Sequence, residues 1–348
     1  MNNPTVVKKE SKNKIRVEFE RTSLWKRLKT KYISVFFLTK VIWVIFRLVL
    51  LVGISYIVIF PFVAKITGSF MSPEDFIDST VKMIPKMPTL QTYRAIIIEN
   101  NYWTAVRNTA ILSMLCAVSQ MFICTLVGYG FSKFKFKFNN ILFILVIFTL
   151  IVPHQTLQFS MFMKFRYFDF LNIYEFIRKI MGFTKAQDLK INLINSYWPL
   201  ALLSVTGLGF KNGLYILIMR QFFKGVPDEL EEAAYVDGAG VLRTFLTIII
   251  PLAIPMMVTV FLFAFTWQWT DEFYVNLFTT ETGPFLMPRI VQIPRSLTTS
   301  SAAIAASTMY QSAIRNTCGL MIIAPIILVY LVGQKFLIQG IERTGVTG

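Results

Sequence analysis

The chain has 348 residues, 55% of them hydrophobic and only 16% charged, with a formal net charge of +16. With 33 Phe and a mean hydropathy of +0.57 it lies far from the composition of a water-soluble domain, and a bilayer is the expected solvent. The basic excess does not read as nucleic-acid binding, because no helix-turn-helix, zinc or aromatic RNA-binding pattern accompanies it.

Residues 1–40 hold eleven Lys and Arg. They read as a cytoplasmic segment that meets anionic inner-leaflet lipid. The segment is too long and too basic for a secretory signal, and no small-residue cleavage site follows the first apolar run, so retention is expected. Tyr32 to Leu38 is expected to lie along the membrane interface.

A helix needs roughly 20 apolar residues to cross about 30 Å of hydrocarbon. Six such runs occur: Val41 to Ala64, Asn108 to Ser132, Phe138 to Met163, about Asn195 to Phe223, the stretch between Arg243 and Asp271, and that between Arg315 and Lys335. Arg47 in the first is free to snorkel to the headgroups, Pro153 interrupts the third, and the fourth contains Lys211. The charge-free run Ser296 to Ile314 reads instead as a re-entrant or surface loop, since nine of its nineteen residues are Ser, Thr or Gln. The fold class expected is all-α, a polytopic membrane protein with six transmembrane helices over residues 41–339 and a tail at 340–348. More Lys and Arg fall on the side of the termini than on the other, which places both termini and the soluble segment 227–245 in the cytoplasm.

Reactive chemistry is sparse. Cys116, Cys124 and Cys318 all fall inside expected spans, which suggests packing residues rather than disulfides or a metal cluster. The only histidine, His154, follows Pro153 without a second ligand at helical spacing; it reads as a polar group in a helix break that meets a neighbouring helix or a wet cavity. No phosphate-binding loop, nucleophile elbow or kinase signature occurs, so no catalytic residue, cofactor or metal is expected and any driving energy must come from another subunit.

An ionisable group at membrane depth is a functional candidate. Lys211 precedes Arg220 by nine residues, roughly 13 Å along a helix, and is flanked by Gly207, Gly209 and Gly213. It reads either as part of a break facing a water-filled cavity or as a lysine paired to a neighbour or snorkelling outward. His154 and Gln155 are further pathway candidates, and helix-helix hydrogen bonds explain them equally well.

The segment after the fourth span inverts the charge of the chain: Asp228, Glu229, Glu231, Glu232 and Asp237 are five of its nineteen carboxylates. Pro227 and the acids suit a helix N-terminus, and Asp237-Gly238 suits its end, because glycine accepts the left-handed conformation there. A second short helix is expected from about Ala239. Leu230, Ala233 and Ala234, at three- and four-residue spacing, are expected to form a low ridge that another protein approaches, with Glu232 beside it.

Glu232-Ala233-Ala234, then Asp237-Gly238-Ala239, then Phe245, Ile248 and Pro251 resembles the "EAA" loop of permease subunits in binding-protein-dependent ABC importers. Arg220-Gln221-Phe222-Phe223 resembles that family's lead-in and Gln339 to Gly348 its glycine-rich ending. The six-span plan, with Asn108-Thr109-Ala110 opening the second span, is similar to the smaller permease of maltose-type carbohydrate importers; the likeness covers roughly Gly53 to Gly348. It implies a bacterial plasma-membrane protein working with cytoplasmic ATPase subunits, a second permease subunit and an extracytoplasmic solute-binding protein. Glu232 would pair with a basic group of the ATPase, Ala233 and Ala234 would permit close contact, Gly238 would set the bend, and Asp237 and Ala239 would complete the docking loop. The cargo implied is a carbohydrate; a peptide, polyamine or glycerol phosphate, or a secondary transporter, are the alternatives. Two departures stand out: Thr270 replaces the usual Asn after Trp269, and the Lys- and Arg-rich segment Ile173 to Asn192 is longer than usual.

Overall fold

A computed structural model describes residues 35–169, 191–209, 211–280, 283–299 and 307–345, with Trp25, Phe176 and Lys179 besides. Residues 1–34 of the basic N-terminal segment, apart from Trp25, most of the segment Ile173 to Asn192 and the last three residues of the tail therefore lie outside the described residues. The chain divides into two compact units, residues 1–66 and 67–348.

The first unit is read through α1, Val35–Gly68, whose sequence is apolar around its whole circumference. In the second, short helices α2 (Pro73–Ile77) and α3 (Gln91–Glu99) precede the long α4, Tyr102–Lys133. Then follow α5 (Asn139–Ile151), a 3-10 turn at His154–Leu157, α6 (Gln158–Arg166), α7 (Trp198–Val205) and α8 (Asn212–Lys224). The acidic segment forms α9 (Glu229–Val236) and α10 (Val241–Thr244), and the chain returns through α11 (Ile250–Trp269), α12 (Phe273–Phe278) and α13 (Ser307–Gly345).

Among the described residues, four helical stretches are long and apolar enough to cross a membrane: 39–68, 102–133, 241–269 and 308–339. The third expected span is more than interrupted. Proline lacks the N–H that would continue the ladder and pushes its predecessor out of the helical region; Val152 is extended (ψ 119°), and the chain turns by 93° between α5 and the stretch His154–Arg166. The fourth expected span is not one helix but two, α7 and α8, separated at Gly207 (φ 78°) and Lys211 (φ 64°). At the C-terminal end the apolar helix begins at Ser307, so the second half of the run read as a loop, Ser307 to Ile314, is helix; it also continues past Gln339 to Gly345, into the expected tail. Ser and Thr stay in helices at such depth because their hydroxyls return to the backbone, as Thr317 Oγ1 does to Ala313 O at 2.8 Å.

In the second unit α4 is the central post, packed by α7, α8 and α11, with α13 against α11 and α5 against α8. Contact between α4 and α8 is close because Gly128 has no side chain: a Cβ there would lie 2.6 Å from Met219 Cβ and 2.9 Å from Arg220 N. Pro325 inside α13 leaves the Met321 carbonyl without its helical donor, and the Tyr102 hydroxyl donates to it at 3.0 Å. Trp269 Nε1 donates to the neighbouring Ile322 carbonyl at 3.0 Å, so α4 and α11 both brace α13 at its proline. Cys116, Cys124 and Cys318 are buried.

Candidate functional site

Two regions gather the residues that the sequence singles out. In the acidic segment, Glu229, Glu231 and Glu232 occupy the first turn of α9, where the helix dipole favours anions. The helix ends in a Schellman arrangement: Ala239 N–H donates to Ala234 O at 2.9 Å, Gly238 N–H donates to Tyr235 O at 3.0 Å, and Gly238 takes the left-handed conformation with φ 82°. The second helix, α10, starts at Val241 and passes through a π turn at Phe245–Ile249 into α11.

The acids of this loop divide between two faces. Lys133, the last residue of α4, donates through Nζ to Asp228 Oδ1 at 2.5 Å and to Val226 O at 2.6 Å, and lies 3.9 Å from Glu231 Oε1. Tyr129 Oη donates to Glu231 Oε2 at 3.3 Å, while its ring stands 5.5 Å from Phe223 and 4.7 Å from Phe245. The side chains of Lys133 and Glu231 are only 7% and 10% exposed, so this clamp is a buried ion pair. Lys133 also holds the exposed Asp228 carboxyl below the usual carboxylate range. Neither Lys133 nor Tyr129 carries a local sequence signal for this role; Lys133 reads only as the charge that closes a span.

The opposite face is free of the clamp. Glu229, Glu232, Ala233, Asp237 and Gly238 are exposed, beside the exposed apolar side chains Leu230, Val236 and Leu242. Ala234 is buried, which corrects the expected ridge of Leu230, Ala233 and Ala234 to Leu230 and Ala233. Positions 233 and 234 stand about 100° apart around a helix, and Ala234 shares the face of Glu231, three residues before it, which the clamp turns inward. Ala239 is half-buried.

The second region is a cavity of about 800 Å³ bordered by both helix breaks. Lys211 lines it together with His154 and Gln155, neighbours in the 3-10 turn far from it in sequence, and with Asn212 and Tyr274 among largely apolar neighbours. His154 Nδ1 and Tyr274 Oη are hydrogen-bonded at 2.9 Å. The Lys211 ammonium lies 5.3 Å from the centre of the Trp267 ring, a cation–π distance. A non-glycine residue in the left-handed region costs about 1–2 kcal/mol, so Lys211 at φ 64° is a strained residue held where glycine would sit at ease. Asn212, 1% exposed, has neither its amide nitrogen nor its amide oxygen hydrogen-bonded among the described residues. Gln155 also borders an adjoining hollow with Gln158 and Asn276. Beyond the cavity wall, Tyr274 N–H donates to Asp271 Oδ1 at 3.2 Å, and burial pushes the Asp271 carboxyl up to about 6. Thr270 bonds back to its own helix, Oγ1 to Thr266 O at 3.0 Å.

Residues 120–343 match the family described as "Binding-protein-dependent transport system inner membrane component". Among curated proteins the chain is similar to the polygalacturonan/rhamnogalacturonan transport system permease protein YtcP of Bacillus subtilis, 22% identical with 84% of this chain and 94% of that one covered. It is likewise similar to the arabinooligosaccharides transport system permease protein AraQ of Halalkalibacterium halodurans, at 24% identity over 85% and 93% of the two chains. The trehalose/maltose transport system permease protein MalG of Thermococcus litoralis is 24% identical, with 87% and 97% covered. Among solved structures, a chain of a bacterial ABC transporter involved in the import of the acidic polysaccharide alginate shares the fold, with a TM-score of 0.60 at 19% identity over 85% of this chain and 97% of that one.

Proposed function

The chain belongs to the family of inner membrane components of binding-protein-dependent transport systems, and on that premise we propose that it forms half of the translocation pathway of a carbohydrate importer. It crosses the membrane six times with both termini in the cytoplasm, the α7–α8 pair serving as one broken span and α5–α6 as another. A second permease subunit completes the pathway, an extracytoplasmic binding protein delivers the sugar, and cytoplasmic ATPase subunits supply the energy. The basic N-terminal segment rests on anionic lipid. Relatives named as polygalacturonan, arabinooligosaccharide and trehalose/maltose permeases favour a carbohydrate over a peptide, polyamine or glycerol phosphate.

The observation that carries the coupling role is the division of the loop into two faces. An apolar patch of Leu230, Val236 and Leu242 rimmed by Glu229, Glu232 and Asp237 suits a partner groove with an apolar floor and a basic edge. Its inner face is fastened to α4 by Lys133 and Tyr129, so a pull on the loop moves a helix that spans the core of the second unit. ATP-driven closure of the ATPase subunits would then rock the spans between inward-open and outward-open states.

The test is co-purification and transport in the reconstituted importer. Glu232→Lys, which reverses an exposed rim charge, and Gly238→Trp, which forces a bulky residue into the left-handed position, are expected to weaken ATPase-subunit association and uncouple transport while membrane insertion survives. Normal transport by both variants would remove the loop from the coupling role.

A further inference from the structure

Resting on the permease reading, we infer that α4 is a connecting rod, and that Asn100, Asn108 and Thr109 are positioning residues that tie the segment 285–292, between α12 and α13, to the motion of the acidic loop. Of the four described stretches long enough to cross a membrane, α4 alone has no proline: α1 carries Pro61, the stretch 241–269 carries Pro251, Pro255 and a π turn, and α13 carries Pro325. Prolines and π turns are where helices bend, so α4 is the one long helix without a hinge of that kind. Its two glycines lie in the last two turns, and Gly128 is shut against Met219 of α8.

Both ends of this helix are fastened by side chains. At the C-terminal end Lys133 and Tyr129 grip the acidic loop through Asp228, Val226 and Glu231. At the other end, side chains capture the backbone of an irregular segment. Asn108 Nδ2 donates to Phe285 O at 3.1 Å, and Met287 N–H donates to Thr109 Oγ1 at 2.8 Å. Just before α4, Asn100 Nδ2 donates to Ile290 O and to Gln292 O, both at 2.8 Å. Leu286, Met287 and Ile290 are fully buried, the last two in one core with Tyr102 and Ala105 of α4. Buried backbone groups are costly to leave unpaired, so the segment follows α4 instead of slipping along it. Thr109 and Tyr129 are twenty residues apart, about 30 Å along the helix, which is about the thickness of the hydrocarbon layer. A shift of the acidic loop is thus carried across the membrane to a segment that ends in the exposed Val291 and Gln292. The Asn108-Thr109 pair, which the sequence shows only as the opening of a span, gains a mechanical role.

The test uses the assembled importer in lipid nanodiscs, with an environment-sensitive fluorophore attached through Val291→Cys; the three native cysteines are buried, so the label goes to the exposed position. Trapping with ATP and vanadate is expected to change the emission. Asn108→Ala combined with Thr109→Val is expected to cut that change about threefold or more while the ATPase subunits still co-purify. Thr109→Ser, which keeps the hydroxyl, is expected to keep most of it. A melting temperature that falls in the combined variant while the change on trapping persists would mean that these side chains only stabilise the fold, and overturns the inference. So does an emission that ignores trapping in the labelled, otherwise unsubstituted importer. A second measurement does not depend on those variants: spin labels at Thr104→Cys, exposed on α4, and at Val291→Cys are expected to give the same distance with and without vanadate, and a distance that changes overturns the inference. Vanadate-sensitive ATPase activity and co-purification with the ATPase subunits are read on the same samples: their absence in the unsubstituted importer would count against the permease reading, whereas their presence with a silent label at position 291 counts against the rod alone.

Discussion

At the loop after α8 a buried lysine, Lys133, has a carboxylate, a carbonyl and a second carboxylate around its ammonium, while at the break before α8 Lys211 lies over an aromatic ring in a cavity with no carboxylate in its described lining. The two sites stand at opposite ends of one helix and share a central neighbour in α4. In the first, charge is satisfied inside the protein and fastens one element to another, which suits a part that must transmit force. In the second, a cation sits over an aromatic ring on a strained backbone at the edge of a cavity, where the chain breaks between two helices.

The largest effect expected comes from breaking the satisfied site. Lys133→Met leaves Glu231 buried without its counter-charge, which should cost about 3 kcal/mol or more. Thermal melting of the purified chain should fall and ATPase-subunit association should be lost with it. A variant that melts as the parent does would show that the clamp is not a structural connection. Asp271, behind the cavity, gives the next effect. Its carboxyl titrates near 6 in the folded protein against about 3.9 in an unfolded chain. The folded state therefore binds the extra proton between those values, and the stabilisation is complete below about 3.9 and is lost as pH rises through about 6. Asp271→Asn should flatten this dependence and stand roughly 2–3 kcal/mol above the parent near neutral pH, as judged by melting curves across pH 4–7.5.

Glu232→Lys should change the partner and not the fold. Because Glu232 is exposed, melting should shift little, whereas affinity for the ATPase subunits should drop by about tenfold, a difference of about 1.4 kcal/mol, on a titration with purified subunits. The smallest effects form a mirrored pair. Gly238→Ala places a side chain at φ 82° in open space, so it should lose only the backbone strain of about 1 kcal/mol, whereas Lys211→Gly relieves such strain and should gain up to about 1 kcal/mol. Opposite signs in the two melting curves would support the view that one position is built for its backbone and the other for its side chain.

The acidic loop was readable in sequence because its signals are local: acids at a helix start, glycine at its end, and spacings within a dozen residues. The family resemblance rests on the same stretch, and the match over 120–343 includes it. The clamp escaped such reading because Lys133 and Asp228 are distant in sequence, and a lysine that closes an apolar run has an ordinary explanation in topology. The fourth run looked continuous because hydropathy ignores backbone conformation; Gly207 and Lys211, both left-handed, divide it. Pro153 announced a break, but the 93° turn depends on how α6 packs, since α12 meets it near the cavity. The polar run before the last helix misled because Ser and Thr can satisfy themselves on their own helix. Lys211 and the adjacent pair His154 and Gln155 could be suspected separately, yet nothing in the sequence said that the lysine borders the same cavity as the pair.

The most direct measurement is uptake of radiolabelled oligosaccharide into proteoliposomes holding this chain with its partner permease, ATPase subunits and binding protein. The account predicts uptake that requires ATP, stops when the ATPase subunits are omitted, and is lost in Glu232→Lys. Uptake by this chain alone, with no ATPase present, would contradict it.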